Sequence, residues 1–332
     1  MPNVIIDTKN DPPRLIPSLV EGFNAVANNV YLIIFPIFLD VLFWLGPRLR
    51  VKKFFLPLLM EAAELSSSAY GVEAADFIET TGEMWTLVLE QFNLLFSLRT
   101  FPIGIPSLLV SYLAETNPIG KPITFEITSG NMILLWLFVL AIFGLILGSI
   151  YFALTAHAVM GRPSLNFSLI ANQSAQAMIL SLILLTALSL LSIPISCLFS
   201  SLILIMPSLG MLPFIILGII LVWVLLPLAF SPHGIFADEL KATRSIVASF
   251  RLVRSLMSGT GMFFITLIII SYGLDILWTT PQSDSWLLLI GIFGHAFISS
   301  GLLAASFKYY ECGMRWQQEL RQINQENQSS AA

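Results

Sequence analysis

Met132–Ala156 reads MILLWLFVLAIFGLILGSIYFALTA, a block of 25 residues without one charged side chain. Wound as a helix at about 1.5 Å per residue, a block of this length exceeds the roughly 30 Å hydrocarbon core of a bilayer. Backbone N–H and C=O groups in lipid are satisfied only inside a helix or a closed barrel. The run shows no period-two alternation, which selects the helix. Within it, Gly144 and Gly148 have the small-residue spacing that lets another helix approach closely.

Working outward, four more apolar blocks have spanning length: Ala177–Met206, Met211–Phe230, Gly259–Thr279 and Trp286–Phe307. The second of these follows a Pro207–Gly210 turn, and Pro194 predicts a kink in the first. A weaker block, Val26–Gly46, contains Pro36 and Asp40, both poorly placed in lipid. The expectation is an all-α polytopic membrane protein with about six transmembrane helices and interfacial amphipathic helices. Its predicted parts are an N-terminal segment (1–25), a first span (26–46), a helical cap (47–131), a five-helix membrane region (132–307) and a tail (308–332) whose end should be disordered.

Composition supports this. The chain of 332 residues is 56% hydrophobic and 11% charged, too apolar for a soluble domain of its size. Its charge is unevenly spread: seven acids between Glu61 and Glu90 occur with no Lys or Arg among them. Nucleic acid is therefore an unsuitable partner. Two cysteines, Cys197 and Cys312, offer neither a disulfide framework nor zinc-ligand spacing.

The one strongly charged stretch between spans is Pro232–Met257. Phe236, Leu240, Thr243, Val247, Phe250, Val253 and Met257 recur at helical spacing, whereas Lys241, Arg244, Arg251 and Arg254 fall largely off that stripe. This predicts an amphipathic helix over 236–257 with its basic face toward anionic headgroups. Basic loops stay in the cytoplasm, which predicts a plasma (inner) membrane protein with both termini cytoplasmic. Arg48, Arg50, Lys52 and Lys53, directly after the first span, oppose that rule. Ser18–Val26 and Ser245–Val253 (SLVEGFNAV and SIVASFRLV) agree at four of nine positions, a hint of an internal repeat.

Ionisable residues within spans are costly and so mark candidate sites. Asp40, Asp275 and His295 form the candidate intramembrane polar set. Gly291, His295 and Ser299 fall on one helical face. The chain has no H-E-x-x-H, G-x-S-x-G, Walker or G-x-G-x-x-G signature. No catalytic residue, metal site or cofactor is expected from it.

The segment FADELKATRSIVASFRLVRS (Phe236–Ser255), followed by an apolar span, resembles the recurrent unit of the membrane domain of glycerophosphoryl diester phosphodiesterases. Asp238, Glu239, Ser249, Phe250, Leu252, Val253 and Arg254 match it in kind. The opening, IPSLVEGFNAVANNVYLIIFPIFLDVLFWLGPRL (Ile16–Leu49), is similar to that of bacterial multi-pass membrane proteins with no assigned activity. The phosphodiesterase catalytic barrel has no counterpart here, so the resemblance implies a fold and not hydrolysis. The leading expectation is a non-enzymatic accessory or scaffold component that binds membrane lipids or a membrane protein partner. The alternative is a transporter or permease-like protein with a polar cavity at Asp40, Asp275 and His295.

Overall fold

A computed structural model describes residues 12–70, 73–110, 116–162, 166–205 and 212–330. The Pro207–Gly210 turn and the far end of the 101–113 segment lie outside the described residues. The chain forms an all-α protein whose helices are α1 (Leu15–Asn28), α2 (Ile34–Leu45), α3 (Lys52–Tyr70), α4 (Glu73–Gln91), α5 (Gly130–Met160), α6 (Phe167–Ile205), α7 (Leu212–Leu225), α8 (Ser231–Ala237), α9 (Ala242–Ser255), α10 (Met257–Trp278) and α11 (Leu288–Ser330). Among the described residues, five helical stretches are long and apolar enough to cross a membrane: Gly130–Met160, Phe167–Leu198, Ile215–Ala237, Met257–Trp278 and Leu288–Ser329. They number six if the bent pair Leu15–Asn28 and Val30–Leu45 is one span.

That bend, of 92°, revises the first predicted span. Val26–Gly46 is not one helix, because the chain breaks at Asn29, whose φ of −132° and ψ of 61° leave the helical region. The Asn29 side-chain amide donates to the Ala25 carbonyl at 2.9 Å, a local bond that competes with helix continuation. Val26 therefore belongs to α1, which packs along α11 through Glu21–Lys308 and Gly22–Ala305. The 3₁₀ turn Val30–Ile33 and α2 follow it in the chain.

The predicted helix over Phe236–Met257 is likewise two elements. The chain turns between α8 and α9, where Glu239 adopts a left-handed φ of 56°. The turn is pinned from several sides. Tyr310 Oη donates to Asp238 at 2.7 Å, and the Arg162 guanidinium donates to the Ala237 carbonyl and pairs with Glu239 at 3.3 Å. At the C-terminus, α11 continues as helix to Ser330, so residues 324–330, within the end of the tail expected to be disordered, are helical.

Helix α11 is the centre of the fold and packs against α1, α2, α5, α8, α9 and α10. Its closest neighbour is α1, with Gly22 seated on the Ala305 backbone so tightly that a Cβ there would lie 2.3 Å from the Ala305 nitrogen. Lys308 on α11 reaches Glu21 on α1 at 2.7 Å. By contrast α6 and α7 lie at the edge, with apolar side chains such as Leu182, Leu185, Ile215 and Ile219 exposed around them. Apolar exposure on several sides is what lipid-facing helices show.

The hint of a repeat has a structural counterpart. In α1 the buried positions are Ser18, Gly22 and Val26. In α9, Ser245, Ser249 and Val253 occupy the aligned positions and are buried too.

The segment after α2 builds a cap. Strand β1 (Arg48–Arg50) pairs in parallel with β2 (Thr124–Glu126), and α3 packs on α4 as a hairpin. Asn93 Oδ1 accepts from the Leu49 and Leu95 amides, tying β1 to the 3₁₀ turn Leu94–Leu98. Leu94, Leu95 and Leu98 are buried here, whereas Met84, Leu87 and Val88 are exposed.

Candidate functional site

Among the described residues, buried polar groups gather toward the two ends of the bundle, with the buried Tyr151–Ser300 hydrogen bond of 2.9 Å between them. At the end carrying α2's C-terminus, Asp40 is fully buried and accepts three hydrogen bonds. Ser107 Oγ donates at 2.5 Å, and the Leu108 and Leu109 amides donate at 3.1 Å each. These donors belong to the irregular stretch between Arg99 and Val110, in which Ile103, Ile105, Leu108 and Leu109 are buried. The stretch lies against the middle of α5. A Cβ at Gly144 would come 2.2 Å from the Leu98 carbonyl oxygen, and one at Gly148 would come 2.7 Å from that of Ile103.

Gly144 and Gly148 thus do provide a close-approach face, but for the end of the 3₁₀ turn at Leu98 and the irregular backbone at Ile103 rather than for another span. Irregular backbone level with a membrane helix is tolerated only where protein groups satisfy its donors. Asp40 does this, and its position in a spanning segment is explained by that task.

His295 sits one helix away. Its Nδ1 lies 2.8 Å from Oδ1 of Asp275, joining α11 to α10. Its Nε2 is buried with no hydrogen-bond partner among the described residues, and Asp40 lies within electrostatic range of its ring. The three residues singled out by sequence therefore gather at one end of the bundle: Asp275 and His295 in direct contact, Asp40 nearby. Small residues make the approach possible. Gly291 and Gly294 leave room for Trp278, whose carbonyl and ring would lie 2.2 Å and 2.7 Å from added Cβ atoms.

Two carboxylates around one imidazole can hold a proton or a small cationic group.

At the other end, α9 is positioned by amide and hydroxyl side chains. Gln176 accepts from the Ala242 amide at 3.0 Å, the Gln173 amide donates to the Ile235 and Phe236 carbonyls, and Ser245 and Ser249 donate to the Ser231 and Pro227 carbonyls. Gln317 closes the far end through the Arg251 carbonyl and Ser255. Every residue of α8 is buried beneath this frame, and His233 bonds Ser306 at 2.7 Å. The signal available in the sequence was the cluster of Gln and Ser at span entrances.

The face of α9 turned toward protein is Ala242, Ser245, Ser249, Leu252 and Val253. This corrects the predicted stripe. Of the apolar residues assigned to it, Val247 and Phe250 point outward, 46% and 48% exposed. Lys241, Arg244, Arg251 and Arg254 are exposed as well. Arg244, Val247 and Arg251 share a shallow groove of about 410 Å³ with Leu240, Thr243 and Ala248. The cause is steric: small hydroxyl residues allow α9 to lie close on the carbonyls at the ends of α7 and α8, and larger apolar groups turn away.

The fold and these sites define an α-helical protein built for a membrane. No protein-family model, curated protein or solved structure matches the chain. The likeness of Phe236–Ser255 to phosphodiesterase membrane domains accordingly rests on the quoted residues.

Proposed function

We propose that this protein is a non-enzymatic multi-pass component of the plasma (inner) membrane, with both termini cytoplasmic, that binds anionic lipid through α9 and acts as an accessory to a membrane protein partner. The observation that carries the reading is the outward face of α9. Apolar Val247 and Phe250 interleave there with Arg244, Arg251 and Arg254, the composition of a helix lying at a headgroup boundary. A helix serving only as a connector would turn its large apolar groups inward. The orientation is supported by the gathering of Arg162, Lys241, Arg244, Arg251 and Arg254 at one end of the bundle.

The test uses full-length protein purified in mild detergent, with retained lipid identified by native mass spectrometry. Phosphatidylglycerol should be kept in preference to phosphatidylcholine of the same chain length. Each basic residue near a charged surface contributes about 1 kcal/mol, so Arg244→Gln with Arg251→Gln should reduce that preference by roughly thirtyfold. Equal retention of both lipids, or an unchanged preference in the double variant, would sink the reading.

The transporter alternative draws on the direct Asp275–His295 bond with Asp40 in range. It requires that Asp275→Asn abolish flux of a substrate while the protein still folds.

A further inference from the structure

The charges of α9 are not spread evenly along it. Lys241 and Arg244 stand about one turn apart at its start, Arg251 and Arg254 about one turn apart at its end, and Ser245–Phe250 (SIVASF) between them carry none. All four are exposed. Among the described residues, none of the four is in an ion pair. Two acids precede them in the chain. The Asp238 carboxylate accepts from Tyr310, and Glu239 pairs with Arg162, so neither is paired with α9.

The first of these cation pairs is placed against the needs of the helix itself. The start of a helix carries partial positive charge and favours anions. Yet α9 has no acid in its first turn and no side-chain cap, and it begins with Lys241 and Arg244. A bound phosphate would bring the negative charge that this end lacks.

The groove on α9 joins the two pairs. Arg244 and Arg251 both line it, and seven residues of helix put them on one face about 10 Å apart along the axis. A guanidinium fork takes up the oxygens of one phosphate edge. Two forks at this separation, each with a further cation a turn beyond it, make two phosphate positions rather than one. Between them lie Val247 and the small Ala248, an uncharged stretch over which linking atoms can pass. Leu240 in the groove and the half-exposed Phe250 beside it offer apolar surface for chains. A lipid with a single phosphate would leave one cation pair unmatched.

We propose that the groove on α9 takes one lipid bearing two phosphates joined by a short linker, with Lys241 and Arg244 on one phosphate, Arg251 and Arg254 on the other, and Val247 and Ala248 beneath the linker. The inference rests on α9 being the lipid-binding face and narrows its ligand from any anionic headgroup to a doubly phosphorylated one.

The experiment uses full-length protein in a mild detergent, titrated at equal phosphate with tetraoleoyl cardiolipin, which carries two phosphates on one glycerol, or with dioleoyl-phosphatidylglycerol, which carries one. Native mass spectrometry counts the lipids retained. One cardiolipin should be held about tenfold or more tightly, because once the first phosphate is bound the second arrives intramolecularly. Arg244→Gln and Arg251→Gln should each bring cardiolipin to within about twofold of phosphatidylglycerol, and the double variant should lose no more of the advantage, since either change already ends the bridging. Arg321→Gln, on the exposed tail of α11, should leave the advantage unchanged.

Two phosphatidylglycerol molecules held as tightly as one cardiolipin, or a cardiolipin advantage that survives either single substitution, would overturn the two-phosphate site while leaving α9 a surface for anionic lipid. Equal retention of phosphatidylglycerol and phosphatidylcholine would remove that underlying reading and this site with it. Thermal unfolding of each variant, all at exposed positions, separates lost retention from lost fold.

Discussion

Replacing Asp40 by Leu should release the loop between Arg99 and Val110 while leaving the helices in place. Asp40 Oδ1 accepts from Ser107 Oγ and the Leu109 amide, and Oδ2 accepts from the Leu108 amide. All of these groups are buried, so water does not replace the carboxylate when it is removed. A buried amide N–H left without an acceptor costs about 1–3 kcal/mol. Two of them amount to roughly 2–6 kcal/mol, with Ser107 free to rotate its hydroxyl toward another acceptor. Converted at about 1.4 kcal/mol per decade, the loop should open about 30-fold to about 20,000-fold more often.

Hydrogen–deuterium exchange of the peptide covering residues 99–110, in nanodiscs, reads this opening directly. Asp40→Asn should fall between native and Asp40→Leu, since one amide oxygen still accepts but its NH2 faces donors. Phe38→Leu, on the exposed side of the same helix, should leave exchange unchanged. Exchange in Asp40→Leu within twofold of native would refute the assignment of Asp40 to the loop.

Three further outcomes follow from the geometry. In a double-mutant cycle, His295→Leu and Asp275→Asn should each lower thermal stability, and the double variant should cost about 1–3 kcal/mol less than the sum, because one bond is lost in both. Gly144→Val should be strongly destabilising, as its side chain would displace the Leu98 carbonyl, whereas Gly218→Ala, with open space around it, should be neutral by thermal unfolding in detergent. The Lys52 ammonium, through its hydrogen bond and then its charge, holds the Glu90 carboxyl below the ordinary carboxylate range. A depressed acid adds stability above its unfolded pKa and loses it as pH falls through the lower folded value. Carboxyl labelling at Glu90, followed by mass spectrometry across acid pH, should therefore show protonation at lower pH than in Lys52→Gln.

Much of the architecture was legible because lipid imposes a single requirement on every spanning segment. Met132–Ala156 and Trp286–Phe307 carry that requirement in composition alone; the first lies inside α5, and the second, from Leu288 onward, inside α11. The pairing of Asp275 with His295 was partly legible, since two ionisable groups within apolar blocks need a partner. Asp40 was legible as a polar group in need of protein contact. What it contacts was not, because Ser107–Leu109 lie 67 to 69 residues away in a stretch with no periodicity. The turn at Glu239 and the reversal of α9 depend on neighbours distant in sequence. Local spacing lists which residues share a face and does not say which face meets protein.

The sequence by itself determined that this chain is an all-α membrane protein with about six spanning segments, a cap after the first and a basic helix before the fifth. Hydrocarbon excludes water, and that demand falls on each segment separately. Only the tertiary structure decided that small hydroxyl residues, not Val247 and Phe250, seat α9, that a 3₁₀ turn and the loop after it rather than another span occupy the Gly144–Gly148 face, and that Arg48, Arg50 and Lys121 surround one cleft. Each of these depends on close approach between segments far apart in the chain, where steric fit and the pairing of buried donors decide what composition leaves open.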